Sequence, residues 1–199
     1  MTTADTTDTR ERLLQAAADL MWERSFQATG VDELCQRANA RKGSFYHYFP
    51  SKSELAVAAI EASWAQVRTQ VFEPAFSGAG GGLAQLKSLG KRVLEFQKAV
   101  AADKGTVLGC PFGNLGQEMA LQDEHIRVAL QRIFEAQCDY FEGALLRAEQ
   151  LGEIPPGNHR QRARSIFALL EGALMLSKVA NDMRAFRDAV ALLPVVAAA

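Results

Sequence analysis

Hydrophobic residues recur every three or four positions along most of the chain, a spacing that places them on one face of a helix. The first such segment has apolar residues at Leu13, Leu14, Ala17, Leu20 and Met21. This pattern predicts an amphipathic helix from about Thr9 to Ser25.

Two very short helical segments follow, one from about Val31 to Ala38 and one from about Lys42 to Tyr48. Asn39 lies between them, and asparagine tolerates the left-handed backbone that ends a helix, so we expect a tight turn there. Ser51, followed three residues later by a glutamate, has the spacing of a capping box. It predicts the start of a long helix that continues towards Pro74.

The helical pattern continues through the rest of the chain. The glycine-rich stretch from Ser77 to Gly82 predicts a loop, and helices are expected to start near Leu83 and Pro111. Further apolar spacing predicts three more helices: one through Ile126, Leu130, Ile133, Phe134, Phe141 and Leu145, one from Arg160 to Lys178, and a short one from Asp182 to Leu193 that ends before Pro194. Since no strand pattern and no repeat competes, the expected fold class is all-α with about nine helices.

Composition limits the class of protein. Of the 199 residues, 48% are hydrophobic and 23% are charged, which is typical of a globular protein. The longest apolar run is interrupted by Glu171 and Lys178, so it is too short to span a membrane, and the polar N-terminus predicts a cytoplasmic location. The three cysteines, Cys35, Cys110 and Cys138, are an odd number without metal-ligand spacing, which favours reduced thiols.

One stretch, "NARKGSFYHYFPSK", has a composition unlike that of the rest of the chain. It contains three cations, four aromatic residues, a histidine and no acid, although the net charge of the chain is only −1. On a helix, Lys42 and Tyr46 share one face, while Phe45, Tyr48 and Phe49 lie towards the other. Two short helices joined by a tight turn and preceded by an amphipathic helix are typical of a helix-turn-helix motif, whose second helix enters the DNA major groove.

The segment "TGVDELCQRANARKGSFYHYFPSKSEL" resembles the DNA-binding segment of the TetR family of bacterial transcriptional regulators, over about residues 10 to 60. The resemblance implies a DNA-binding domain at 1–55, in which Arg41, Lys42, Gly43 and Ser44 read bases and Thr29, Tyr46, His47 and Lys52 contact phosphates. It also implies that Phe45 and Phe49 belong to the core. Gly30, Asn39 and Arg41 depart from the family pattern, and Arg41 is a candidate element of operator choice. The alternative is an aromatic core plug with a solvated basic rim.

Residues 56–199 are then expected to form a ligand-binding and dimerisation domain. Six large side chains could line an apolar pocket: Trp64, Phe72, Phe96, Met119, Phe134 and Phe141. Cys110 is a further candidate for the pocket lining. Ordinary core packing is the alternative for each of the hydrophobic ones. The resemblance further implies a homodimer formed by the last two substantial helices, with an interface at Ile166, Leu169, Leu170, Ala173, Leu176 and Met183.

The expected function is therefore a repressor that a small molecule releases from a palindromic DNA operator. The run "LGCPFGNLGQEMA" resembles one found in a branch of the TetR-like regulators, and it places Cys110 just before a helix. A helix N-terminus can lower the pKa of a thiol, so Cys110 is a candidate sensor of oxidants or electrophiles. The alternative role for Cys110 is a small residue in a tight corner.

Catalysis is not expected. His47, His125 and His159 lack metal-ligand spacing, and "GAGGGL" lacks the lysine and hydroxyl of a phosphate-binding loop. We therefore expect no metal, no cofactor and no enzymatic activity. The less favoured alternative is a helical binding or enzymatic domain whose basic patch is incidental.

Overall fold

The computed structural model describes residues 3–78 and 80–199, with backbone alone for residues 3–8. In these ranges the chain forms nine helices and no strand. They are α1 (Thr3–Glu23), α2 (Val31–Arg37), α3 (Lys42–Tyr48), α4 (Lys52–Val67, continued by a π turn at Arg68–Phe72 and an α segment at Glu73–Phe76), α5 (Gly82–Lys104), α6 (Pro111–Met119), α7 (Glu124–Gln150), α8 (His159–Ala180) and α9 (Arg184–Ala198). The predicted all-α class is confirmed.

The chain is organised as two compact units. One contains the residues up to Ala65 together with Pro111–Ile133, and the other contains Gln66–Cys110 together with Phe134–Ala199. Both α4 and α7 therefore contribute residues to each unit. The assignment of functions to 1–55 and 56–199 stays a prediction. None of the described helices combines the length and the apolar character needed to cross a membrane.

In the first unit, α2 and α3 have only seven residues each, too few to be stable alone in water. They are held by apolar side chains, because Leu34 and Phe45 are fully buried and Phe49 is buried as well. Asn39 has a φ of 48°, so the predicted left-handed turn is confirmed. Tyr48, expected on the core side, is only half-buried.

In the second unit, helices approach closely at two glycines of α5. A Cβ on Gly82 would lie 1.8 Å from the carbonyl oxygen of Ala144 on α7. A Cβ on Gly90 would lie 2.6 Å from a methyl carbon of Val190 on α9. Only glycine fits these contacts without displacing backbone or a β-branched side chain.

The predicted end of the last helix at Leu193 is wrong. Helix α9 continues through Pro194 to Ala198, although proline removes one backbone hydrogen bond. Leu193 and Ala197, on either side of the proline, are both almost fully buried. Their burial continues the apolar face of α9 past Pro194 and offsets the lost hydrogen bond.

Candidate nucleic-acid interface

Helix α3 separates its side chains into a buried side and an exposed side. Arg41, Lys42 and His47 are exposed, and Tyr46 keeps 51% of its surface exposed. Phe45 is fully buried beneath them and meets the Tyr46 ring edge-on at 5.0 Å between centroids. The structure thus brings the predicted polar residues together on one side of α3.

Neither packing nor backbone conformation requires a glycine at position 43. It lies in the first turn of α3, and a Cβ placed there would find no atom within 4 Å. Its backbone does not adopt the left-handed conformation. Glycine in a helix costs about 1 kcal/mol relative to alanine. The small residue therefore leaves open space on the outer surface of α3 rather than inside the protein.

An acid that sequence reasoning missed lies beside the exposed face of α3. The ammonium of Lys42 lies 2.7 Å from a carboxylate oxygen of Asp32, which is in the first turn of α2. The hydrogen bond with this carboxylate raises the pKa of Lys42. In sequence the two residues are ten positions apart in different helices, so no local pattern signals the pair. In the unbound protein, Asp32 neutralises Lys42.

Thr29 is not placed as predicted. It is completely buried, and its hydroxyl donates a hydrogen bond to the carbonyl of Ser25 at 2.8 Å. The expectation that the Thr29 side chain contacts a phosphate is thereby corrected, because the hydroxyl faces the protein interior.

Lys52 is also engaged within the protein. Its ammonium donates to the carbonyls of Phe26 at 2.9 Å and Thr29 at 3.1 Å, and it lies 4.1 Å from the centre of the Phe26 ring. Partial burial lowers the pKa of Lys52. The Lys52 ammonium thus holds two backbone carbonyls and lies over a ring of the protein itself, and its contact with a DNA phosphate stays a prediction.

The backbone that Lys52 contacts is also held by an acid from another helix. We call residues 25–29 the α1–α2 segment. Glu118, near the end of α6, accepts hydrogen bonds from the backbone N–H of Phe26 and of Gln27, both at 2.8 Å. The side-chain amide of Gln27 donates to the side chain of Gln122 at 2.6 Å. These contacts join parts of the chain about ninety residues apart, so periodicity could not reveal them.

The residues predicted to line a ligand pocket divide between the two units. Trp64 and Met119 belong to the first unit, where Met119 is buried and the Trp64 ring meets Phe112 edge-on. A surface cavity of about 180 Å³ is lined by Glu61, Trp64, Ala129, Arg132 and Ile133. Trp64 is the one member of the predicted set that lines this cavity.

The other members of the set lie in the second unit. Phe72 and Phe141 are buried and stacked at 6.3 Å between ring centroids, and Phe134 packs on Phe167 at 5.0 Å. Phe96 lies at the surface. This packing supports the alternative of ordinary core residues for Phe72 and Phe141, while the pocket itself stays a prediction.

Cys110 is half-buried and immediately precedes the first residue of α6. It shares a hydrogen bond with the carboxyl of Glu171 on α8, and burial raises the pKa of that carboxyl. Glu171 was visible in the sequence only as a break in an apolar run. Burial also raises the pKa of the Cys35 and Cys138 thiols, so both favour the unreactive protonated form at neutral pH.

The residues predicted to form the dimer interface differ in how much of their surface is exposed. Four of the six are buried in the protomer's own core: Ile166, Leu170, Ala173 and Met183. Helix α9 packs on α8, so these four side chains leave little surface for a partner, and the dimer interface stays a prediction. Leu169 is half-buried and Leu176 is 56% exposed.

Large apolar side chains are instead exposed on the other side of these two helices. Those that are between 47% and 82% exposed are Met175, Leu176, Val179, Leu192 and Val195. They follow the three and four residue spacing of one helix face on both α8 and α9.

Among the residues with described side chains, no group of three or more histidines, cysteines or acids is arranged to hold a metal ion. His47 is exposed on α3, whereas His159 is buried at the start of α8, where its Nε2 lies 2.6 Å from a Glu149 carboxylate oxygen. The histidines therefore lie in separate environments.

Comparison with known proteins gives matches over both parts of the chain. A model described as bacterial regulatory proteins, tetR family, matches residues 13–59, and one described as tetracyclin repressor-like, C-terminal domain, matches residues 82–193. The transcriptional regulator AcuR of Cereibacter sphaeroides is 30% identical over 85% of this chain and 76% of its own. The transcriptional repressor NemR of Escherichia coli is 29% identical over 92% and 91%.

Solved structures are similar over nearly the full length. The reduced form of Escherichia coli NemR superposes with a TM-score of 0.82 at 28% identity, covering 94% of this chain and 97% of that one. The regulatory protein TetR from Rhodobacter sphaeroides gives a TM-score of 0.82 at 26% identity, with the same coverage of 94% and 97%.

Proposed function

The chain belongs to the TetR family of bacterial regulatory proteins, and we propose that it represses transcription as a homodimer until a small molecule releases it from a palindromic operator. That it is a helix-turn-helix transcriptional regulator follows from the family and from relatives such as AcuR and NemR. Repression, the palindrome and the release are the proposed steps. The cytoplasm, where bacterial DNA lies, is the proposed location.

The observation that carries the proposal is the exposed face of α3. Arg41 and Lys42 can donate to guanine edges, and Ser44 can donate or accept at a neighbouring base. The open space beside Gly43 lets the DNA backbone approach α3 closely. Tyr46 and His47, one helical turn further on, are placed to donate to phosphates.

A homodimer is supported by the exposed apolar side chains of α8 and α9. Monomeric soluble proteins rarely expose a large contiguous apolar patch, and Met175, Leu176 and Val179 lie on the same face of α8. Two small residues that precede them on this face, Ala168 and Gly172, permit close approach of a second helix. A two-fold dimer then presents two copies of α3 to half-sites about 34 Å apart.

Release by a ligand requires a molecule that binds better to the conformation with low DNA affinity. We assign this binding to residues 56–199. The ligand would shift the long helix α4 and change the separation of the two α3 helices, so that both half-sites cannot be met at once. Ligand and DNA must then weaken each other's binding by the same factor.

A second candidate, regulation through chemical modification of Cys110, is favoured by one observation: this thiol is partly exposed directly before α6. The hydrogen bond that the Cys110 thiol shares with the Glu171 carboxyl opposes this candidate, because the contact must break before the sulfur reacts. Challenging the DNA complexes of the natural protein and of Cys110→Ser with an electrophile decides between them. Equal release from both proteins eliminates the sensor.

The DNA-binding proposal is tested by selecting duplexes from a random-sequence pool with the full-length protein. We expect a palindromic sequence to emerge and to bind far more tightly than a scrambled duplex of the same composition. Lys42→Ala and Tyr46→Ala should weaken this complex, while Asp103→Asn, at an exposed site on α5, should not. Enrichment of no sequence, even at low salt, contradicts the proposal.

A further inference from the structure

We propose that Glu118 is a positioning residue for DNA binding: acting from α6, it fixes the α1–α2 segment and thereby sets where α2 and α3 sit on DNA. Glu118 itself is not proposed to touch DNA. The proposal rests on the proposed function, and it adds a residue that neither the helix-turn-helix motif nor the contact assignments include.

The first support is the geometry of the carboxylate. One oxygen of Glu118 accepts from the N–H of Phe26 and the other from the N–H of Gln27, each at 2.8 Å. Two successive amides held by one carboxylate fix both the position and the orientation of that peptide unit. Hydrogen bonds to an ionised acceptor are roughly twice as strong as neutral ones.

The second support is that a basic side chain also holds the α1–α2 segment, through its carbonyl groups. Lys52, at the start of α4, donates to the carbonyls of Phe26 and Thr29. Within the segment, the Ala28 amide donates to the Ser25 hydroxyl at 3.1 Å and the Thr29 amide to the Phe26 carbonyl at 3.3 Å. An acid from α6 and a base from α4 thus engage the N–H and C=O groups of the same few residues.

The segment leads directly into the helix-turn-helix. The next residue, Gly30, is the N-cap of α2, and no side chain caps the helix there. The start of α2 is therefore positioned through the backbone that precedes it. Because α2 and α3 share the Asn39 turn and a common core, a displacement of Phe26 and Gln27 is transmitted to the exposed face of α3.

Helix α6 is suited to transmit such a displacement. It has nine residues, its first residue follows Cys110, and its C-terminal turn contains Glu118. A change at the N-terminal end of this rigid helix moves the Glu118 carboxylate with it. This route to the helix-turn-helix passes through the α1–α2 segment, which Lys52 of α4 also contacts.

The test compares Glu118→Gln with Glu95→Gln, a control on α5 in which an exposed glutamate pairs with Lys91. Both substitutions remove one negative charge and keep the size of the side chain. The glutamine amide at position 118 must turn one N–H group towards a backbone N–H, so one of the two hydrogen bonds is lost. The full-length variants are titrated with the duplex that the natural protein selects, and with a scrambled duplex.

We expect Glu118→Gln to bind the selected duplex about tenfold more weakly, since a tenfold change corresponds to about 1.4 kcal/mol. Its affinity for the scrambled duplex should stay unchanged, because phosphate contacts tolerate small displacements of α3. The slope of log affinity against log salt should also stay unchanged, because no phosphate contact is removed. Faster hydrogen exchange of the peptide containing Phe26 and Gln27 should accompany the loss.

Each contrary result is distinguishable. If Glu118→Gln binds the selected duplex within twofold of Glu95→Gln, the positioning role is refuted while the DNA-binding function stands. If affinity falls equally for both duplexes, Glu118 only stabilises the fold. Titrations are repeated well below the unfolding midpoint of each variant, and a loss that disappears there also refutes the role. If the natural protein selects no duplex, the proposed function itself fails.

Discussion

The substitution Asp32→Asn tests how the acid of α2 that pairs with Lys42 affects DNA binding. In the unbound protein the Lys42 ammonium lies 2.7 Å from the Asp32 carboxylate, and 82% of the Asp32 side chain is exposed. Before Lys42 can bind a phosphate or a base, this contact must break. The carboxylate also repels phosphates that approach the start of α2. Replacing it with an amide of the same size removes both effects, so we expect tighter binding to DNA.

The size of the effect follows from counterion release. Each additional phosphate that a protein neutralises steepens the slope of log affinity against log salt by about 0.9. One Lys42 freed in each subunit of a dimer therefore steepens the slope by up to about 1.8. Between about 50 and 200 mM salt, this corresponds to an additional change in affinity of up to about tenfold. The gain should be largest at low salt.

The assay is fluorescence anisotropy with the selected duplex at several salt concentrations. Asp103→Asn is the matched control, because Asp103 is also an exposed aspartate, 3.1 Å from the ammonium of Lys104 in α5. It should leave the slope unchanged. Weaker binding of Asp32→Asn with an unchanged slope would refute the reasoning, and would show instead that Asp32 orients Lys42 towards a base.

Three further predictions concern stability. Phe45→Ala, which empties a fully buried site beneath the exposed face of α3, should lower the free energy of unfolding by about 3–5 kcal/mol in urea titrations. Gly82→Ala should lower the unfolding midpoint because its Cβ would lie 1.8 Å from the Ala144 carbonyl. Gly143→Ala, with no atom within 4 Å of its Cβ, should instead raise the free energy of unfolding by up to about 1 kcal/mol. Equal midpoints for the two variants would contradict this. Burial raises the pKa of Glu171, so the folded state binds this proton more strongly than the unfolded state and stability falls as pH rises from the ordinary glutamate pKa to the raised one. Glu171→Gln should therefore flatten the profile of unfolding free energy as the pH rises above the ordinary glutamate pKa, and an identical profile would show that Glu171 does not titrate there.

Local patterns were sufficient to predict the helix-turn-helix. Its turn depends on the backbone preference of Asn39, and its packing depends on the spacing of Phe45 and Phe49 along one short helix. Each of these features is contained within about ten neighbouring residues. For the same reason the pattern did not reveal Asp32, because the two helices that bring it to Lys42 meet only after folding.

Position in a motif did not determine what a side chain contacts. Thr29 and Lys52 were assigned to phosphates through the family resemblance, yet the hydroxyl of one and the ammonium of the other bind protein carbonyls. The backbone carbonyls that they engage lie in the α1–α2 segment, whose need for partners cannot be deduced from composition. Glu118, which satisfies the amides of that segment, lies about ninety residues away.

Helix α8 illustrates a second limit of periodicity. It is apolar over more than one face, so its sequence predicts burial on two sides without saying which side meets α9 and which meets another molecule. Ile166 and Leu170 were assigned to the dimer, but they are buried within the protomer, whereas Met175 and Val179 are exposed. The distinction depends on how α9 packs, which in turn depends on Gly90 permitting close approach of α5.

The number of basic residues around α3 overstates the positive charge that DNA meets. Arg37 lies 3.6 Å from Glu23, Lys42 pairs with Asp32, and Lys52 is directed to backbone carbonyls. Arg41 is exposed and forms no ion pair with any described residue. It is also the N-cap of α3, where a long side chain can extend beyond the helix end towards the major groove. Since an arginine can make a bidentate contact with guanine, operator choice should depend on Arg41 more than on the total charge of the patch.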